Sequence, residues 1–256
     1  MVRGLELFIS HFKGMEDNYV LIGGCACDLW MTKNSLSFRP TEDIDMVIIV
    51  DALHPDFIRA FWDFIHKGDY QSLKQSRKKP KFYRFDAPKD PKYPEMIELL
   101  TRNILELPKG IHLTPIPVDD DISSLSAILL EEDYYTLVCN SKILINEAPT
   151  LPPQCLIPLK ARAHLDLKKR KADGDTTVRS DDIRKHRNDV FRLLTTLTPE
   201  DKYPLSHKIA ADLKEFLGTL PPGSEDWTAI RSSLNIRNLP APDILIQRIK
   251  DVFTLN

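Results

Sequence analysis

Glycine is scarce in this chain, 9 among 256 residues, about half its usual ~7% share. Wherever two glycines stand together, the backbone therefore has a reason to need them. Long apolar runs are missing as well: none approaches the ~20 residues that cross a bilayer. The opening segment MVRGLELFIS lacks the basic region, long apolar stretch and small-residue cleavage site of a signal peptide. A cytoplasmic location with no membrane partner is expected. Paired cysteine spacing is absent too. Cys25, Cys27, Cys139 and Cys155 sit among apolar residues, which argues against a disulfide framework and for reduced, partly buried thiols. Cys25-x-Cys27 is a poor spacing for zinc, and no later Cys/His pair completes four ligands. Finally, charge of one sign is lacking. The 37 acidic residues nearly cancel the 35 basic ones, so no whole-molecule field draws the chain to polyanions and any such contact is local.

What the sequence does contain is enough apolar material for a core, 42% of the residues, over a length that suits one large domain or two smaller ones. Leu5, Phe8, Ile9 and Phe12 recur at helical spacing within residues 2–13. Tyr19–Ile22 reads as a short strand, Gly23-Gly24 as a tight turn, and Cys25–Met31 as a helix. Asp45–Val50 resembles a buried strand, Phe57–Ile65 an amphipathic helix, and Lys81–Phe85 and Glu95–Leu100 two more strands around the proline-rich loop 87–94. Further on come a segment at 116–121, a helix near 124–130 and a hairpin around 134–145. Pro152-Pro153 then halts regular structure. Helices are predicted beyond it, at about 156–171, 180–197, 204–218, 225–233 and 242–254. The expected fold class is α+β (α/β): a mixed sheet flanked by helices over residues 1–150, then a helical bundle over 151–256. No internal repeat or low-complexity tract is present.

Three features carry chemistry. Gly23-Gly24, between a strand and a helix, would let a phosphate approach main-chain N–H groups at the helix start, where the macrodipole favours negative charge. Taken alone, the pair is better read as a plain tight turn between strand and helix. In the extended run Arg39-Pro40-Thr41-Glu42-Asp43-Ile44-Asp45, alternation places Asp43 and Asp45 on one face and Ile44 on the other. Adjacent carboxylates repel, and a bound Mg²⁺ relieves the repulsion while orienting a nucleoside triphosphate. Two solvated acids at a strand mouth are the alternative. Glu98, among apolar neighbours on another strand, would complete a three-carboxylate metal site if the strands pair; otherwise it is an acid on an exposed edge face.

Gly23-Gly24 followed by Arg39-x-Thr41-x-Asp43-x-Asp45 resembles the nucleotidyltransferase superfamily of DNA polymerase β, and more narrowly the AbiEii/AbiGii-type abortive-infection nucleotidyltransferases. The segments Ile157-Pro158-Leu159-Lys160-Ala161-Arg162-Ala163 and Asp182 to Leu193 are similar to that family's later lysine and aspartate helices. The resemblance spans about residues 19–195. It implies a nucleotidyltransferase-like sheet, with Asp43, Asp45 and Glu98 as metal-binding and catalytic acids. It further implies catalytic roles for Lys160 and Asp189, Lys160 contacting the triphosphate and Asp189 orienting Lys160 or the nucleotide. Gly23, Gly24, Cys25, Arg39, Thr41 and Lys160 are the implied nucleotide-binding residues. Many members have Ser or Thr after the glycine pair, where this chain has Cys25, a weaker hydrogen-bonding group. The third acid is Glu98 rather than Asp.

Asp182, His186 and Asp189 fall at i, i+4 and i+7, with Ile183, Val190 and Leu194 marking the packing side. A solvated face is the favoured reading for His186. Lys168-Lys169-Arg170-Lys171, with Arg162, Arg179, Arg184, Lys185 and Arg187 nearby, could touch RNA phosphates or simply face solvent. The basic stretch 74–81 belongs to the same argument. Two functions follow. One is an Mg²⁺-dependent transfer of a nucleotidyl group from a nucleoside triphosphate to an acceptor hydroxyl on RNA, protein or a small molecule. By resemblance, tRNA is the implied acceptor and an antitoxin the implied partner of a toxin or phage-defence protein. The other is a catalytically inactive nucleotide-sensing or protein-binding module.

Overall fold

Alternation of apolar side chains decides where the sheet forms. The computed structural model describes residues 2–49, 54–75, 81–101, 115–117, 128–129, 131–236 and 238–255. They fall into two units, residues 1–130 with 135–152, and residues 131–134 with 153–256. In the first unit Leu5–His11 (α1) leads to Tyr19–Ile22 (β1), which runs directly into Gly23–Lys33 (α2). The expected separate glycine turn does not exist: Gly23 is itself the first helical residue, at φ 66. Asp43–Ile48 (β2) and Pro55–Lys67 (α3) follow. β2 starts two residues before the expected Asp45, because its ladder begins where Asp43 pairs with Met96. Tyr70–Gln75 (β3), Lys81–Pro88 (β4), Met96–Thr101 (β5) and Pro115–Pro117 (β6) come next.

Glu132–Asn140 (α4) is a helix where a hairpin arm was expected. Tyr134, Tyr135 and Val138 are buried at helical spacing, and Glu132 and Asp133 sit in the first turn, where the macrodipole favours acids. The hairpin lies just beyond, Ile143–Ile145 (β7) and Ala148–Thr150 (β8), joined through Asn146 and Glu147, both at positive φ as a two-residue turn requires. The expected helix near 124–130 and the stretch at 116–121 lie largely outside the described residues, as does Arg77-Lys78-Lys79.

Among the described residues, eight strands form one mixed sheet in the order β6-β3-β4-β5-β2-β1-β8-β7. β1 is antiparallel to β2, β2 parallel to β5, and β5 antiparallel to β4. One face carries Tyr19, Leu21, Ile44, Met46, Ile48, Tyr83, Phe85, Ile97 and Leu99, all in one core with Phe8, Phe12, Phe57, Phe61 and Phe64. The aromatic rings interlock, Phe8 with Phe12 at 4.5 Å and Phe12 with Phe57 at 5.4 Å. The alternate positions carry the other face, where one register row reads Ile22, Asp45, Glu98, Arg84 from β1 across to β4.

The second unit is helical, as expected: Pro153–Ala172 (α5), Ser180–Leu194 (α6), His207–Gly218 (α7), Asp226–Leu234 (α8) and Pro242–Val252 (α9). Pro153 opens α5 rather than halting the chain, since proline at a first helical position costs no hydrogen bond. Ser206 caps α7 by accepting from the Ile209 N–H. Phe191 lies against Trp227 at 4.9 Å and Phe216 at 6.2 Å. The fold class is the expected one, a mixed sheet flanked by helices with a helical set after it. No helix among the described residues is long and apolar enough to cross a membrane.

Candidate functional site

The site begins where β1 enters α2. Gly23 holds a left-handed backbone, and a Cβ built on it would lie 1.7 Å from the Asp45 carboxylate oxygen Oδ2. A Cβ on Gly24 would lie 2.4 Å from the Thr41 hydroxyl oxygen. Glycine is needed at residue 23 for both backbone and space, because an L side chain is disfavoured at that φ and the carboxylate fills its volume. The structure thus brings Gly23, Gly24, Thr41 and Asp45 together at the start of an 11-residue helix.

β2 supplies the acids. Asp43 and Asp45 are half-buried while Ile44 between them is fully buried, the alternation that the extended run implies. Parallel pairing places Glu98 beside Asp45 in the ladder. Its carboxylate, however, is already engaged: Arg84 Nε donates to Oε1 at 2.8 Å and Arg84 Nη2 to the same oxygen at 2.5 Å. Arg84 was not singled out by sequence reasoning, since only the β4–β5 register brings it to Glu98. Among the described residues no three His, Cys, Asp or Glu side chains are arranged to hold one metal ion. Asp43 and Asp45, two half-buried carboxylates on one strand face beside the glycine start of α2, are donors of the kind Mg²⁺ takes, since it commonly binds one or two protein carboxylates and fills its other positions with phosphate and water.

Cys25 stands apart from its implied role. Its side chain is wholly buried in the aromatic core. Burial foremost, and the Asp45 carboxylate next, push its thiol well above the ordinary range. It can offer a ligand its peptide N–H and not its sulfur. Arg39 lies in the loop before β2, its guanidinium 5.0 Å from the Phe38 ring and Nη1 donating to the Pro40 carbonyl at 3.3 Å.

The remaining implied residues belong to the second unit. Lys160 Nζ lies 3.2 Å from Asp189 Oδ2, and the two side chains are 2% and 0% exposed. Arg192, one turn further along α6, reaches Asp189 Oδ1 at 2.8 Å and donates to the Ser233 carbonyl at 2.9 Å. Arg192 was missed, although an Arg three residues after an Asp on a helix is the signal for such a pair. His186 is buried, not solvated. From residue 186 to 194 α6 is buried on every side, because its charges have partners within the unit: Asp189 with two cations, and Arg187 with Asp226.

Much of the basic cluster is likewise committed to acids. Arg162 pairs with Glu131, Arg170 with Asp175, Arg184 with Asp181 and Lys185 with Asp182. Lys168 and Lys169 are exposed.

No family model and no curated protein sequence matches the chain. A solved structure described as an antigenic nucleotidyltransferase-like protein from Paracoccidioides brasiliensis is similar to it at 15% identity, covering 89% of each chain with a TM-score of 0.41.

Proposed function

We propose that this chain is an Mg²⁺-dependent nucleotidyltransferase, moving a nucleotidyl group from a nucleoside triphosphate to an acceptor hydroxyl. The observation that carries this reading is the meeting of a left-handed glycine at a helix start with Thr41 and with Asp45, next but one to Asp43 on the same strand face. Asp43 and Asp45 would hold the ion. When bound, Mg²⁺ neutralises phosphate charge and orients the triphosphate for in-line attack at the α-phosphorus, with pyrophosphate as the leaving group. The peptide N–H groups of Gly23, Gly24 and Cys25 receive phosphate oxygens at the positive end of α2. Thr41, packed on Gly24, adds a hydroxyl donor beside them. The roles of Lys160 at the triphosphate and of Asp189 in orienting it rest on the family resemblance, and their buried ion pair supports the second.

The test incubates the protein with labelled nucleoside triphosphates, Mg²⁺ and total RNA, comparing wild type with Asp45→Asn. Label moved to RNA or to protein by wild type alone is the expected result. Removing one acid should cost about 100-fold or more in rate, since metal stabilisation is worth several kcal/mol. Absence of transfer with every nucleotide would count against an enzyme. An RNA acceptor such as tRNA, and a toxin role countered by an antitoxin, belong to the AbiEii-type resemblance. Growth arrest on expression, relieved by Asp45→Asn, is expected for the toxin, and normal growth argues against it.

A second reading, a nucleotide-sensing or protein-binding module without turnover, draws on the ion pairs that hold Glu98 and Lys160. It predicts nucleotide binding that Asp45→Asn abolishes, with no label transferred.

A further inference from the structure

The last helices of the chain enclose a groove that lies wholly within the second unit. The helix α7 cannot run on through Pro221-Pro222, and between it and α9 lies a cavity of about 560 Å³. From the helices it is lined by Lys214, Leu217 and Gly218 of α7 and by Ile246 and Lys250 of α9, and the floor is completed by Leu220 and Leu255. Leu217, Leu220 and Leu255 are 6%, 1% and 8% exposed, so the apolar groups lie at the bottom while lysine and proline form the rim. The volume falls within the ~300–1,000 Å³ of small-molecule sites, which pair an apolar lining with a few placed polar groups. A partner helix would need an exposed apolar stripe, which this rim does not offer. Gly218 helps to keep the groove open, since a Cβ built there would meet no atom within 4 Å.

The polar groups at the rim are mainly cationic. Lys214 and Lys250 are exposed, and among the described residues neither has an acid at ion-pair distance. Lys208, on the same helix as Lys214, is by contrast held by Asp212 and Glu131. Asp243 is the one acid in the lining, and its place in the first turn of α9 accounts for it, because the macrodipole favours an acid there. Lys250 gains similar help in the last turn of α9. Lys214, in the body of α7, gains none. Two cations against one acid leave the rim with a single positive charge in excess.

We infer that this groove binds a small apolar carboxylate, a medium-chain fatty acid in chemical class. Its chain lies over Leu217, Leu220, Ile246 and Leu255, and its carboxylate meets Lys214 and Lys250. The site uses no residue of β1, α2 or β2 and is independent of the nucleotide reading.

The test is isothermal titration of the full chain with decanoate. Wild type should bind one decanoate per chain and octanoate about tenfold more weakly, since each buried methylene strengthens binding about fourfold. Decyltrimethylammonium, with the same chain and the opposite charge, should bind at least about tenfold more weakly than decanoate. Lys214→Gln combined with Lys250→Gln should weaken decanoate about tenfold or more. Gly218→Leu should abolish binding by filling the groove, with an unfolding midpoint at or above that of wild type, because leucine is favoured over glycine in a helix. Lys169→Gln, exposed on α5, is the charge control and should bind like wild type. No binding by wild type overturns the inference, as does equal binding of the cationic amphiphile. Decanoate binding that survives Gly218→Leu, or that falls as much in Lys169→Gln as in the double lysine variant, also overturns it by placing the ligand elsewhere. A wild-type dimer in sedimentation that Gly218→Leu splits would assign the groove to a second copy of the chain and overturn it as well.

Discussion

A single glycine decides whether β1 can enter α2 where it does. Gly23 combines a backbone at φ 66 with a virtual Cβ only 1.7 Å from Asp45 Oδ2. Gly23→Ala must therefore both strain the backbone and push the carboxylate aside, at about 1–3 kcal/mol. Gly24→Ala meets the Thr41 side chain, its hydroxyl at 2.4 Å and its Cβ at 3.2 Å, but its backbone needs no left-handed φ, and alanine regains ~1 kcal/mol of helix propensity against that contact. Urea unfolding midpoints should rank Gly24→Ala between wild type and Gly23→Ala; equal midpoints for the two alanine variants would refute the argument that residue 23 needs glycine for its backbone as well as its space. His164 gives a pH-dependent prediction at the same scale. Its Nδ1 donates to the Ile183 carbonyl at 3.0 Å and its ring stands edge-on to Phe216. Burial foremost, with Lys168 and Arg187 adding, holds its pKa below the usual 6.5 against that hydrogen bond. The unfolded chain then takes up a proton near pH 6.5 that the folded chain refuses, so stability falls as pH drops through that value. Denaturation at pH 7.5 and 5.5 should show a loss at the lower pH that His164→Gln reduces.

Among the elements, β1, α2 and β2 were legible because their signals are local. A glycine pair after an apolar run and an alternating acid pair need no tertiary knowledge. α4 was misread because Tyr134-Tyr135-Thr136-Leu137-Val138 has high strand propensity, and tertiary burial of Tyr134 and Val138 at i, i+4 overrode it. β3 went unnoticed because Tyr70-Gln71-Ser72-Leu73-Lys74-Gln75 has little of the branched apolar character that marks strands. α6 shows the same limit for the candidate site. Its sequence named Asp189 but read His186 as solvated, since burial of so polar a stretch depends on partners elsewhere in the unit. Asp189 serves both Lys160 and Arg192. Asp189→Ala would leave two buried cations without their acid, a loss of about 3–5 kcal/mol. Lys160→Met leaves Asp189 held by Arg192 and should destabilise less. Chemical denaturation of the two variants measures the order, and the reverse order would mean that Arg192 does not share the load.

At the scale of the whole molecule, net charge and the length of apolar runs do not tell how the chain divides. Residues 131–134 belong with 153–256, and their contacts say why. Glu131 reaches Arg162 at 2.9 Å and Lys208 at 3.3 Å, Tyr134 donates to Asp212 at 3.0 Å, and Ser206 donates to Asp133 at 2.6 Å. Asp212 is 5% exposed and Tyr134 fully buried. Contact with that carboxylate and burial, which acts most strongly, hold the Tyr134 phenol well above its ordinary range. A fragment of residues 153–256 lacks these four residues, so Arg162 loses its nearest acid and Asp212 its phenol donor, while an aromatic side chain is missing from the packing. A fragment of residues 131–256 keeps them, with 135–152 as a tether. The longer fragment is expected to unfold cooperatively and to be more stable by about 2–4 kcal/mol, the combined scale of a buried hydrogen bond and a partly buried ion pair together with lost apolar contact. Within the longer fragment, Tyr134→Phe isolates the hydrogen bond to Asp212 and should lower stability by about 1–2 kcal/mol. Matching urea midpoints for the two fragments would show that the four residues are not part of that unit's energetic core.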